Sequence, residues 1–264
     1  MRPVIQLALD FVDLKRAIKT AQKALTGGVD WFEAGTPLIK SEGLESVREL
    51  RRLFPRHKIV ADMKIMDAGR IEVEAAAKAG ADIVDVLGAA SDATIRESVQ
   101  VARNYGTQIV ADLIAVEDPA SRAKVLENIG VDYITVHCAI DEQMEGKDPF
   151  DMLRKVVSAV SVPVGVAGGI NSETAPLAVE AGASIVVVGG AISKSVDPSD
   201  AAAVIKRAME DRSPIATTLF KRGSAEQIRS ILEQVSAANL SDALHRGGVI
   251  NGLVPLFRGL RLVG

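Results

Sequence analysis

Cysteine is all but missing from this chain: Cys138 stands alone among 264 residues. One thiol excludes an intramolecular disulfide framework and agrees with a reducing compartment. A block of charge of one sign is missing too. The 31 Lys and Arg are interspersed with 34 Asp and Glu, for a net charge of -3. That balance leaves no electrostatic footprint for nucleic acid, so none is expected as a partner. Nor does the chain open on a long apolar run, because "MRPVIQLALDFVDLKRA" is interrupted at Asp10. A signal peptide or spanning helix is excluded there, and a cytoplasmic protein without membrane association is expected.

What is present is apolar material for a large core, at 48% hydrophobic residues. It is organised as short β-branched runs alternating with charged, amphipathic stretches. The runs are "VIQLALD", "VDWFEAG", "KIVADMK", "DIVDVLG", "QIVADLI", "YITVHC", "VPVGVAGG" and "SIVVVGGA". Between them lie "LKRAIKTAQKAL", "GLESVRELRRLF", "IEVEAAAKAG", "ATIRESVQVARNYG", "SRAKVLENIG", "MLRKVVSAV", "TAPLAVEAGA" and "AAAVIKRAME", several closed by a C-cap glycine. The period is about 25 residues, enough for a strand, a helix and two short loops. Near-continuous apolar strands covered by helices imply a parallel sheet. Eight such units favour an α/β fold of the closed (β/α)8 type over an open doubly wound sheet.

In that fold chemistry sits at the C-terminal ends of the strands. Those ends fall at Asp10, Glu33, Asp62, Leu87, Asp112, His137, Ala167 and Val188, so five of them carry Asp, Glu or His. Any one carboxylate at such a place also serves as a helix cap. Five converging on one rim define a candidate site. Asp62 and Lys64 are two apart and share the face that points into the barrel, while Met63 points away. Asp67 falls in the following loop, from which it reaches across this site or into a neighbouring subunit's site. Gly168 and Gly169 end the seventh strand, and Gly189 and Gly190 the eighth, where missing Cβ atoms let backbone N–H groups approach a phosphate. Cys138 adjoins His137 but faces the other side, so it is expected to pack beneath a helix. His57 lies at the opposite end of the barrel, where stability or solvation is its expected role. The polar segment "DEQMEGKDPF" after the sixth strand reads as a lid or as a solvent loop.

The run "ADMKIMDAG" carries an Asp-x-Lys-x-x-Asp pattern that resembles the signature of the orotidine 5′-phosphate decarboxylase suprafamily. "LALDFVDL", "EAGTPLIKSEG", "VLGAASDATI" and "VAGGINSETAPLAVEAGA" extend the likeness, within that suprafamily, to the 3-hexulose-6-phosphate synthase family over about residues 3 to 210. The resemblance implies a homodimeric barrel that joins formaldehyde to D-ribulose 5-phosphate, or cleaves hexulose 6-phosphate, with Mg²⁺ or Mn²⁺. It further implies Glu33 and Asp62 as metal ligands and His137 as the proton-transfer residue. By the same resemblance Lys64, held between Asp62 and Asp67, is expected as a protonated donor to an enediolate, and Asp10 is expected to orient Lys64 or a substrate hydroxyl. A Schiff-base role for Lys64 is the rival reading, disfavoured because flanking carboxylates keep an ammonium charged. The competing 3-keto-L-gulonate-6-phosphate decarboxylases carry an arginine three positions after the catalytic histidine, where this chain has Ile140.

The barrel is expected to span residues 1–211. Residues 212–264 read as a linker plus an incomplete second domain, because "SAANLSDALHRGGVINGL" resembles the start of the regulator-of-ribonuclease-activity family. An ordinary extension packed on the barrel is the alternative.

Overall fold

The structure, a computed structural model, describes residues 2–139, 142–143, 148–217, 229–230, 232–236 and 239. Eight parallel strands close into a barrel in sequence order: β1 (Val4–Leu9), β2 (Trp31–Ala34), β3 (Lys58–Ile65), β4 (Ile83–Leu87), β5 (Gln108–Asp112), β6 (Tyr133–His137), β7 (Val164–Ala167) and β8 (Ile185–Val188). β8 pairs with β1 and completes the ring, with Val4 opposite Ile185 and Leu7 opposite Val188. All eight sequence runs become strands.

Strand alternation sorts the core into two bodies. Residues such as Ile5, Leu7, Phe32, Ile59, Val84, Ile109, Val136 and Val186 face outward and pack under the helices. The inward set is smaller and comprises Ala8, Trp31, Val60, Ile83, Val110, Tyr133, Ala167, Ile185 and Val187. At the N-terminal end Lys58 plugs the barrel: its Nζ donates to Gln108 Oε1 (2.7 Å) and Tyr133 Oη (3.0 Å) and lies 5.0 Å from the Trp31 ring centroid. A lysine inside a strand is tolerated here because two acceptors and an aromatic face replace its water.

The same end shows a repeated device. Asp30, Asp82 and Asp132 each precede a strand and accept the N–H of the second residue of the strand before it, from Ile5 (2.9 Å), Ile59 (2.7 Å) and Ile109 (2.8 Å). Their own N–H groups donate to the carbonyls of those same three residues. Register is thereby fixed at the base, away from the mouth.

The helices depart from the sequence pattern in two places. The stretch after β2 forms two helices, Thr36–Glu42 and Glu45–Leu53, because Gly43 takes a left-handed φ of 65° and breaks the first. A short turn, Gly190–Ser193, precedes the last barrel helix, Pro198–Asp211.

The chain divides into two units, Met1–Leu219 and Phe220–Gly264. The first extends past the expected boundary at residue 211. Ile215 N–H donates to the Ser172 carbonyl (3.0 Å), Ser172 Oγ to the Ile215 carbonyl (2.7 Å) and Thr217 N–H to Glu173 Oε1 (3.1 Å), so 215–217 belong with the barrel. In the second unit the described residues include Leu232, half-buried, and Val235, 38% exposed. Most of the regulator-like motif lies outside the described residues, as do Ile140 and much of the "DEQMEGKDPF" segment. No described helix is long and apolar enough to cross a membrane.

Candidate active site

Lys64 is the centre of the mouth. Its Nζ donates to Asp62 Oδ1 and to Asp112 Oδ2, both at 3.0 Å. The expected partner on the second side was Asp67. Within one chain Asp67 is exposed in the loop after β3, and the second partner is a strand-end carboxylate from β5, 48 positions away in sequence. The cause is local backbone geometry. The register between β3 and β4 shifts between Ala61 and Ile65, and Lys64 adopts a left-handed φ of 46°. This bulge re-aims the side chain into the barrel instead of along the strand towards the loop. The conformation costs about 1 kcal/mol for a non-glycine residue, so neighbouring contacts must hold it.

Asp112 ties three groups together. Its Oδ2 also meets His137 Nδ1 at 2.7 Å, and its Oδ1 accepts the Ile114 N–H at 2.8 Å. With Nδ1–H given to a carboxylate, His137 keeps Nε2 as its acceptor, which is the tautomer a general base needs. Burial alone would raise the Asp112 carboxyl, but His137 and Lys64 outweigh it and hold it below the ordinary range. Burial likewise pulls Lys64 down, while Asp85, Asp112 and Asp62 push it well above its ordinary value. The amine stays an ammonium, which argues against Schiff-base chemistry.

Asp62 and Glu33 were expected at a solvent-facing rim. They sit deeper, 6% and 7% exposed. Asp62 Oδ2 accepts from Thr36 Oγ1 (2.6 Å) and Thr36 N–H (3.1 Å), so the "GTP" turn after β2 orients it. Glu33 Oε2 accepts from Gln6 Nε2 at 2.6 Å. Burial, followed by the charges of Asp62 and Asp10, raises the Glu33 carboxyl to about 8. Asp10 is raised in turn, by partial burial first and then by Asp62. Its carboxylate fits against Gly35, where a Cβ would collide with Oδ1.

Glu33, Asp62 and Asp10 thus share too little positive charge, which suits a hard divalent cation with oxygen ligands. Among the described residues no three such side chains are already arranged around a metal position. A cation there would be held by two protein carboxylates, with other oxygens completing its shell.

The glycine pairs lie at the same end. Gly168 and Gly169 have φ of 106° and 72°, which other residues rarely adopt. Gly189 lies against Asp10, where a Cβ would come within 3.4 Å of Oδ2. Lys194, in the loop that follows, acts electrostatically on Asp10. Cys138 is buried as expected.

Four participants escaped the sequence reading. Gln6 and Thr36 are ordinary polar residues in runs dominated by other signals, and Lys194 follows the second glycine pair with no spacing rule to mark it. Asp85 lies inside the apolar run "DIVDVLG", where its odd position among Val84 and Val86 was the one available signal.

The closed parallel barrel that carries this site has counterparts among known proteins. The chain belongs to the orotidine 5′-phosphate decarboxylase / HUMPS family, whose model matches residues 3–205. Within it, the chain is 42% identical over 204 residues to the 3-hexulose-6-phosphate synthase of Bacillus subtilis, covering 77% of this chain and 97% of that protein. A crystal structure of a 3-hexulose-6-phosphate synthase superposes with a TM-score of 0.75 at 39% identity, over 78% of this chain and 99% of the other. The enzyme of that name from Salmonella typhimurium gives 0.76 at 35%, over 79% and 99%.

Proposed function

We propose that this chain is an aldolase of the 3-hexulose-6-phosphate synthase type, adding formaldehyde to D-ribulose 5-phosphate to give D-arabino-hex-3-ulose 6-phosphate, and catalysing the reverse cleavage. The observation that carries the reading is Asp112 Oδ2, which accepts from both Lys64 and His137. It couples a base to a fixed cation, and an enediolate mechanism needs both.

His137 Nε2 takes the proton from C1 of the ketose phosphate. Lys64 donates hydrogen bonds to the developing enediolate oxygens while Asp62 and Asp112 keep it charged and in place. C1 then attacks the formaldehyde carbon, and the proton held on His137 returns to the new alkoxide, so no net proton is gained or lost. Mg²⁺ or Mn²⁺ on Glu33 and Asp62 would supply further positive charge to the substrate oxygens. Asp10 orients Lys64 or a substrate hydroxyl, and the backbone at Gly168, Gly169, Gly189 and Gly190 receives the phosphate.

The reading extends to a cytoplasmic homodimer. Met66 and Ile71, 53% and 71% exposed, flank Asp67 on the rim. A second copy covering them would place Asp67 at its partner's mouth. Residues beyond the barrel would belong to a regulator-like second domain.

The test is carbon-13 formaldehyde with ribulose 5-phosphate, followed by NMR with added Mg²⁺ or with chelator. Formation of a new carbon–carbon bond is expected only with metal, and Glu33→Ala or Asp62→Asn should abolish it. No product from the purified protein would refute the aldolase, and full activity of either variant would refute the metal ligands.

A further inference from the structure

The chain beyond the family match makes a contact of its own at the mouth. The match ends at residue 205, and the helix Pro198–Asp211 stops at Arg212, which takes a left-handed φ of 47°. After it Ile215 and Thr217 are half-buried while Pro214 and Ala216 are exposed, the alternation of an extended segment. That segment meets the turn between β7 and the helix Ala175–Glu180. Ile215 N–H donates to the Ser172 carbonyl (3.0 Å), and Ser172 Oγ donates back to the Ile215 carbonyl (2.7 Å). Thr217 N–H donates to Glu173 Oε1 (3.1 Å). Ser172 is 4% exposed, and at that burial its hydroxyl and carbonyl need partners, which the segment supplies.

The same turn begins with Gly168 and Gly169, at φ of 106° and 72°. Two adjacent glycines carry more backbone freedom than any other pair, so a cradle built on their N–H groups is pre-organised only if the rest of the turn is held. Within the turn, Thr174 Oγ1 donates to the Gly169 carbonyl (3.3 Å) and accepts from Asn171 N–H (2.9 Å). Asn171 Oδ1 accepts from the N–H groups of Glu173 (2.8 Å) and Thr174 (3.2 Å). These bonds join close neighbours in the chain and let the turn move as one body. Ser172 and Glu173 carry ties of another kind, to residues 43 and 44 positions away in sequence.

We propose that residues 215–217 are a strap for the substrate phosphate: by tying Ser172 and Glu173 they fix the turn whose Gly168 and Gly169 N–H groups receive it. The inference rests on the reading above in which this turn is part of the phosphate cradle. Ser172, Ile215 and Thr217 are positioning residues that act through the glycine turn. The phosphate sits at the other end of the ketose from the reacting C1, so its binding is common to ground state and transition state. Loss of the strap therefore raises KM and spares kcat.

Two measurements in the full chain test it. Ser172→Ala removes the hydroxyl from the Ile215 carbonyl, Ile215→Pro removes the N–H from the Ser172 carbonyl, and Ile215→Val keeps both backbone groups. In amide NMR titrations inorganic phosphate should move the Gly168 and Gly169 resonances of the wild type, and Ser172→Ala and Ile215→Pro should each need about 3- to 20-fold more phosphate to reach the same end point. In initial-rate kinetics KM for ribulose 5-phosphate should rise by about the same factor, with kcat and KM for formaldehyde within about twofold of wild type. Ser172→Ala should add little in the Ile215→Pro background, and Ile215→Val should match the wild type. A lower Tm with unchanged phosphate affinity, or a loss confined to kcat, overturns the strap. If the wild type binds phosphate but forms no hexulose phosphate, the aldolase reading fails while the titration still decides the strap. If Gly168 and Gly169 do not respond to phosphate, cradle and strap fall together. Should Ile215→Pro fail to fold, Thr217→Pro, which removes the N–H from Glu173, takes its place in both measurements.

Discussion

Replacing Asp112 by Asn removes one charge and almost no volume, and the hydrogen bonds around it determine the outcome. In the wild type Oδ1 accepts from Ile114 N–H and Oδ2 from both Lys64 and His137. An amide has one acceptor oxygen for these two places. If the oxygen faces Lys64 and His137, the NH₂ meets the Ile114 N–H, donor against donor. If it faces Ile114, the NH₂ points at the ammonium and at His137 Nδ1. His137 then has to accept on Nδ1 and carry its proton on Nε2, which destroys the base. Either arrangement loses at least one charge-assisted bond, about 1.5–3 kcal/mol. Leaving buried Lys64 short of a partner brings the total towards about 3–5 kcal/mol. The turnover number should fall by about 10²- to 10⁴-fold, the usual share of a positioned base. Stability has a pH signature as well. The folded carboxyl of Asp112 is held below its ordinary range, so its contribution is present above that range and is lost as pH falls through the depressed value. Urea titrations of the wild type and Asp112→Asn should therefore diverge at neutral pH and converge in acid. Turnover within about threefold of wild type would refute the Asp112–His137 pairing as the source of the base.

Glu33 predicts the opposite slope. Its folded carboxyl is raised to about 8, so its stabilising effect is full below the ordinary glutamate range and is lost as pH rises towards that value. In chelator, Glu33→Gln should flatten the fall in Tm between about pH 5 and about pH 8.5, and an unchanged slope would show that Glu33 is not the titrating group. With Ile140 in place of an arginine, the protein should form hexulose phosphate far faster than it decarboxylates 3-keto-L-gulonate 6-phosphate; comparable specificity constants would show that this position does not set the branch. Truncation after Leu219 should leave synthase activity intact. Truncation after Arg212 should lower thermal stability, because it removes Ile215 and Thr217 from Ser172 and Glu173, and equal behaviour of the two would refute that contact.

The architecture was legible because period-two runs and capped helices are local signals, repeated here in eight units. Strand ends read from sequence fall within one residue of those observed, except at β3, which runs on to Ile65. That exception bears on the second partner of Lys64 within the chain. Alternation correctly sends Asp62 inward and Met63 outward, but it assumes a regular strand. The bulge at Lys64 breaks that assumption and leaves no mark in "ADMKIMDAG". The choice between Asp67 and Asp112 then turned on a through-space distance. Sequence proximity favoured the nearer residue, and the barrel's closure brought the farther one. Asp85 was missed for the reverse reason: an aspartate amid valines reads as a strand interior, and only the inward face shows what it looks upon.

The mouth also separates its carboxylates by what each one touches. Asp112, with three donors, is held ionised, whereas Glu33 and Asp85, with one donor or none, resist ionisation through burial first and then the charge of Asp62. A sequence selected for stability alone would replace several of these groups with apolar residues, since buried charge without full pairing is a net cost. Retaining them makes sense where the missing positive charge arrives from outside. Bound cation and substrate would relieve the repulsion among Asp10, Glu33 and Asp62, so affinity for them is drawn in part from the mutual repulsion of these carboxylates. The fold tolerates this because the strain is confined to the strand ends, while the aspartates at Asp30, Asp82 and Asp132 and the Lys58 plug fix the other end of the barrel.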